Sequence, residues 1–190
     1  MIGEAFAIGT AFMWAASTIL SAEALKEIDP VQANALKVLF ASILMFIVAF
    51  VTGELQNLSN LSLYGFLLVT LAAIIGFGIG DTFLFKSITL IGVSRSYTVA
   101  YTFPLFTMIL GTMFLGELFL TEHLAGTIMI ILGIVMISTD RVNKKGMKRG
   151  DYYKGILAGF LTALLWSIGI TLLALGLREI SVISAHVTRF

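Results

Sequence analysis

The sequence predicts an all-α integral membrane protein: six transmembrane helices plus the start of a seventh, forming one five-helix unit and the truncated beginning of an inverted second unit. Three observations carry this expectation. The chain is 58% hydrophobic and 12% charged with a mean hydropathy of +1.01, whereas soluble domains carry about 25% charged residues on a surface that must face water. Apolar runs of roughly 20 residues recur, each long enough at ~1.5 Å per residue to cross a ~30 Å hydrocarbon core. The opening of the chain also returns later, in register and without a gap.

The elements follow in order. A first helix is expected over 5–25 and a second over 31–51, with Asp29-Pro30 turning the chain between them. Pro30 falls where its missing N–H is harmless, just ahead of the second helix. Residues 52–62 are polar and read as a loop, and a third helix is expected over 63–85. Ile91-Gly92-Val93-Ser94 makes the next turn, followed by helices over 96–118 and 123–139. Residues 140–154 hold six of the twelve basic residues and read as a solvated linker. A sixth helix is expected over 155–177, and 182–190 begins a seventh too short to span.

Offset by 152 positions, Trp14 falls on Trp166, Gly3 on Gly155, Thr10 on Thr162, Glu27 on Glu179 and Ala33 on Ala185. Lys26 meets Arg178 and Lys37 meets Arg189, matching in charge. Apolar composition inflates chance identities between membrane helices, but aligned Trp, Glu and basic positions are harder to obtain that way. The division is therefore 1–139 as a first unit, 140–154 as the basic linker and 155–190 as the start of a second unit, which is expected to be truncated. Five crossings is an odd number, so the second copy would traverse the bilayer in the opposite direction, the inverted-repeat plan of many secondary transporters.

Several function classes are disfavoured. No basic stripe with interleaved aromatics marks a nucleic-acid surface. Cysteine is absent, which removes disulfides and thiolate chemistry. The two histidines, His123 and His186, form no H-E-x-x-H pattern. No P-loop or nucleophile elbow is present, and no cofactor, metal or enzymatic activity is expected. Gly78-Ile79-Gly80-Asp81 matches the Gly-x-Gly-Asp signature of intramembrane aspartyl proteases, but that chemistry needs a second carboxylate. The one earlier aspartate, Asp29, lies in a turn, so close packing along Gly76 and Gly80 is the better reading.

Three stretches carry a family likeness. Gly9-Thr10-Ala11-Phe12-Met13-Trp14 opens the first helix. Gly92-Val93-Ser94-Arg95-Ser96-Tyr97 leads to Phe103-Pro104-Leu105-Phe106, and Phe114-Leu115-Gly116-Glu117 leads through Leu120-Thr121 and Gly126 to Leu132-Gly133-Ile134. The chain resembles the EamA-type branch of the drug/metabolite transporter superfamily. The resemblance implies ten helices in a complete member, with the substrate path between two halves.

Ionisable groups inside a bilayer need a reason, since each costs about 2.5–3.5 kcal/mol on insertion scales. Asp81 and Lys86 are two such groups in the third helix. They sit about 140° apart around an ideal helix, so they pair only if it bends. They either face a cavity or serve as a helix cap and a snorkelling cation. Lys37 and its repeat-mate Arg189 either face a shared cavity or snorkel. Tyr97, Tyr101 and Pro104 share one face of the fourth helix with Met108, Gly111 and Leu115. Pro104 should free the carbonyl of Ala100, with Thr102 and Thr107 as donors in reach. Trp14 and Trp166 fall near mid-membrane, where each indole N–H wants a partner.

Basic residues place the linker in the cytoplasm and the N-terminus outside by the positive-inside rule, whereas the resemblance implies both termini inside. The expectation is a multi-pass transporter of the plasma membrane, moving a small metabolite or drug-like solute by alternating access. Its partners would be the lipid bilayer and a small-molecule solute, with no nucleic acid. The alternative is a non-transporting fragment or half-transporter, completed by a homodimer or by the missing second half.

Overall fold

The computed structural model describes residues 2–53, 61–118, 121–139, 149–180 and 182–189. Every regular element among them is helical: α1 Ile2–Ala24, α2 Pro30–Thr52, α3 Leu63–Ile91, α4 Val93–Leu115, α5 Thr121–Thr139, α6 Arg149–Gly176 and α7 Val182–Arg189. The Asp29-Pro30 turn forms as the sequence implies. Asp29 Oδ1 accepts the backbone N–H groups of Val31 and Gln32 at 2.8 and 3.1 Å, and Pro30 takes the first helical position. Gly53, at φ +75°, closes α2 in the left-handed conformation that glycine adopts without strain.

Among the described residues, four helices are long and apolar enough to cross a membrane: α2, α3, α4 and α6. These four accord with the expected multi-span, all-α fold. α1 equals α2 at 23 residues. α5, at 19 residues, includes the apolar stretch Leu124–Gly133. The loop expected over 52–62, the linker before Arg149 and the side chains of both histidines fall largely outside the described residues.

Two boundaries differ from expectation by six residues, the others by three or fewer. α3 runs to Ile91 because nothing between Phe85 and Gly92 interrupts it. α6 begins at Arg149 within the expected linker, where Asp151 in its first turn complements the helix dipole.

α3 and α6 form the centre. A Cβ added at Gly155 would strike Ile91, at Gly159 Ser87 and Val99, at Gly169 Gly76 and at Gly176 Val69. Residue numbers climb on one helix as they fall on the other, so the two run antiparallel. Gly169 lets the backbones touch: a Cβ there would lie 3.1 Å from the Ala72 carbonyl oxygen and 3.1 Å from Gly76 Cα. Lipid tails are as apolar as leucine, so close packing through small residues and interhelical hydrogen bonds holds such helices together. Thr162 Oγ1 donates to the Gly80 carbonyl at 3.2 Å, Ser87 Oγ to the Gly155 carbonyl at 2.8 Å, and Ser167 Oγ to the Phe103 carbonyl at 2.8 Å.

α1 and α2 lie outside this pair. Phe12, Met13, Leu20, Phe40 and Phe50 are exposed, presenting an apolar belt suited to lipid. Trp14 of α1 meets Trp166, while Ala22, Leu25 and Ile28 pack on the cluster of Leu84, Phe85 and Ile88. Because Trp166 sits level with Gly80, α1 ascends in the same sense as α3.

Candidate functional site

Halfway along α3 the chain leaves regular α-helix for a π segment, Ile74–Gly80, and resumes at Asp81. Glycines at 76, 78 and 80 contribute no side chain to hold the regular ladder, and π segments inside helices recur at functional sites. Asn34 of α2 serves the irregular backbone. Its Nδ2 lies 2.8 Å from the carbonyl oxygens of both Phe77 and Gly78 and 3.0 Å from Thr82 Oγ1. Thr82 Oγ1 donates to the Gly78 carbonyl at 2.7 Å. Three acceptors around Nδ2 fix the amide orientation and leave Asn34 Oδ1 buried without a partner.

Asp81 is 5% exposed, and both its oxygens are engaged by donors from other helices. Lys37 Nζ of α2 pairs with Oδ2, and Trp166 Nε1 of α6 donates to Oδ1 at 2.7 Å. This is the opposite of a protease dyad, where two carboxylates share a proton. It also explains how the charge is tolerated at depth, since buried ions need both a counter-charge and hydrogen bonds.

One turn back, the Phe77 ring carries two cations. Lys37 Nζ lies 5.7 Å from its centroid and Arg189 Cζ of α7 3.8 Å, and Lys37 also lies 5.4 Å from the Phe85 ring. Lys37 and Arg189 stand 152 positions apart, the offset at which the sequence matches itself. So do Trp14 and Trp166, and their rings meet edge to face at 5.9 Å and 89°. The aromatic row continues from Trp166 through Phe103 at 5.7 Å and Tyr101 at 6.3 Å to Tyr97 at 5.4 Å. Thr18 Oγ1 and the Tyr97 hydroxyl are 2.8 Å apart, which ties α1 to α4.

Of the residues singled out from sequence, Trp14, Lys37, Asp81, Tyr97, Tyr101 and Trp166 converge here. Lys86 does not. The segment from Asp81 onward is regular α-helix, the bend lies before Asp81 rather than between the two, and Lys86 is exposed on another face. Pro104 is partly buried beside the row, but it acts differently from expectation. α4 breaks at Tyr101-Thr102 and restarts at Phe103. Thr102 and Thr107 therefore bond the carbonyls of Val99 and Phe103, at 2.7 and 3.0 Å, rather than that of Ala100.

Sequence reasoning passed over Asn34, Phe77 and Thr18, and used Phe103 only for the family likeness. Asn34 had a usable signal: it stands three residues before Lys37, on the same helix face. Thr18 follows Trp14 by four.

A bundle of long apolar helices that buries an ion pair under aromatic rings defines a membrane protein of transporter-like fold. Residues 1–139 match the model of the EamA-like transporter family, and the chain belongs to that family. No curated protein and no solved structure matches it.

Proposed function

We propose that the chain carries a small metabolite or drug-like solute across the plasma membrane by alternating access between two inverted helical units. The first unit is 1–139, the basic linker 140–154, and the second unit begins at 155. The observation that carries the reading is the meeting of repeat-related residues around one carboxylate. Trp14 touches Trp166, and Lys37 and Arg189 stack on the same Phe77 ring beside Asp81. An axis relating two inverted copies would bring equivalent positions together in this way, and such an axis runs through the substrate site of inverted-repeat carriers. The opposed directions of α1 and α6 support the same reading.

In this scheme Trp14, Tyr97, Tyr101 and Trp166 line the solute path, Lys37 and Asp81 form the charged centre within the first unit, and the Trp166 indole ties Asp81 to the second. Pro104 lets α4 break beside the row. A half-transporter completed by a second copy is the alternative, favoured by Trp14 remaining 46% exposed at the open side of the row.

The natural absence of cysteine makes the test direct. Thr18→Cys and Tyr97→Cys, in sealed vesicles of known sidedness, are expected to react with a membrane-impermeant maleimide from both faces. Labelling from one face alone would end the alternating-access reading. Cross-linking and mass measurement in mild detergent separate monomer from dimer.

A further inference from the structure

Resting on the transport reading above, we infer that the central site takes a small organic anion, a carboxylate on an aromatic or apolar body, and that Arg189 holds the carboxylate. The charges at the site do not cancel. Lys37 and Arg189 are positive and Asp81 is negative, and both Asp81 oxygens are already engaged, by Lys37 and by Trp166. Arg189 lies within the field of Asp81, yet no ion pair joins them among the described residues. The guanidinium rests instead on the Phe77 ring at 3.8 Å, and its Nε is buried with no acceptor.

A ring face attracts a cation but accepts none of its five N–H donors in the way a lone pair does. Leaving a buried donor unmet is costly, and the planar fork of a guanidinium matches the two oxygens of a carboxylate. A cationic solute would instead face two like charges. The aromatic side chains next to the ion pair, Trp166, Phe103 and Tyr101, offer flat apolar surface for the rest of the molecule.

The two tryptophans of the chain both stand at this site, so intrinsic fluorescence reports on it without a label. The full chain in nanodiscs is titrated with benzoate, benzamide and benzylammonium, which share a ring and differ in charge. Benzoate is expected to quench saturably and to bind about tenfold more tightly than benzamide, the scale of one charge-assisted hydrogen bond, with benzylammonium weakest. Matched sodium chloride should leave the signal unchanged. In Arg189→Gln the preference for benzoate over benzamide is expected to vanish, and in Arg189→Lys, which keeps charge but loses the fork, to fall partway. Equal binding of benzoate and benzamide, tighter binding of benzylammonium, no saturable quenching, displacement by chloride, or an intact preference in Arg189→Gln each overturns the inference. The native-chain titrations stand even where a variant fails to fold. Binding without two-sided cysteine labelling sinks the transport reading and leaves the anion site. Two-sided labelling without benzoate preference does the reverse.

Discussion

α1 and α6 match at several positions when offset by 152 residues, yet they occupy opposite kinds of place. Trp14 in α1 is 46% exposed and Trp166 in α6 is 7% exposed. Thr10 bonds back to its own helix at the Phe6 carbonyl, while its mate Thr162 also reaches across to the Gly80 carbonyl. Where α1 carries Ser17, exposed, α6 carries Gly169, pressed on the backbone of α3. Positions that match at the offset of 152 thus meet at the site, and their neighbours decide how tightly each is held. α6 lies between α3 and α4; α1 touches the bundle along one edge.

The sharpest way to break the comparison is to remove the two indoles separately. Trp166→Ala deletes a buried ring and the donor to Asp81, and is expected to cost about 4 kcal/mol, the range for large aromatics in cores. Trp14→Ala loses little more than one edge-to-face contact, about 1 kcal/mol. Thermal unfolding in a fixed detergent, followed by circular dichroism, gives both. Equal losses would mean that α1 is packed as deeply as α6. A related test concerns the ion pair. Asp81→Asn leaves Lys37, whose side chain is 32% exposed, without its counter-charge, and about 3 kcal/mol of stability should go with it, the low end for breaking a buried pair. Lys37→Met/Asp81→Asn together should recover part of that loss, since the stranded charge is then gone.

Next comes the crossing point. Gly169→Leu must push apart two backbones, since the nearest atoms are a carbonyl oxygen and a Cα rather than a flexible side-chain end. About 3 kcal/mol is expected. Ser17→Leu, at the equivalent position, adds apolar surface to a face turned toward lipid and should stay within about 0.5 kcal/mol of the native chain. A tolerated Gly169→Leu would show that α3 and α6 do not meet where described.

How much of this was legible in the sequence depends on what kind of fact each feature is. Helix identity and most turns were readable because length, hydropathy and Asp29-Pro30 are local. The matches at an offset of 152 pointed to Trp14, Trp166 and Lys37, which the fold brings together, since that comparison sets the chain against itself and needs no geometry. The partner of Asp81 was not readable. Lys86 is close in sequence and Lys37 is distant, and only the packing of α2 on α3 decides between them. The π segment was visible as a run of glycines, but the registry shift it introduces, and the Asn34 that serves it, depend on which helix lies alongside. Pro104 marked the break in α4, while the cross-helix donor beside it, Ser167, serves the Phe103 carbonyl and comes from another helix.

The smallest expected effect separates the helices by a single hydrogen bond. Thr162 Oγ1 lies 3.0 Å from the Ala158 carbonyl and 3.2 Å from the Gly80 carbonyl, and it is fully buried. Thr10 Oγ1 serves only the Phe6 carbonyl, 2.8 Å away, on an exposed face. Valine keeps the shape of threonine and removes the hydroxyl. Thr162→Val should therefore cost about 0.6 kcal/mol, the average for interhelical hydrogen bonds in membranes, because the Gly80 carbonyl loses its cross-helix donor. Thr10→Val should cost nothing measurable, because the carbonyl it served already accepts a backbone bond within the helix. The difference is within reach of paired unfolding curves. Were Thr10→Val the more damaging of the two, α1 would be making contacts through that face, and the contrast between rim and centre would have to be redrawn.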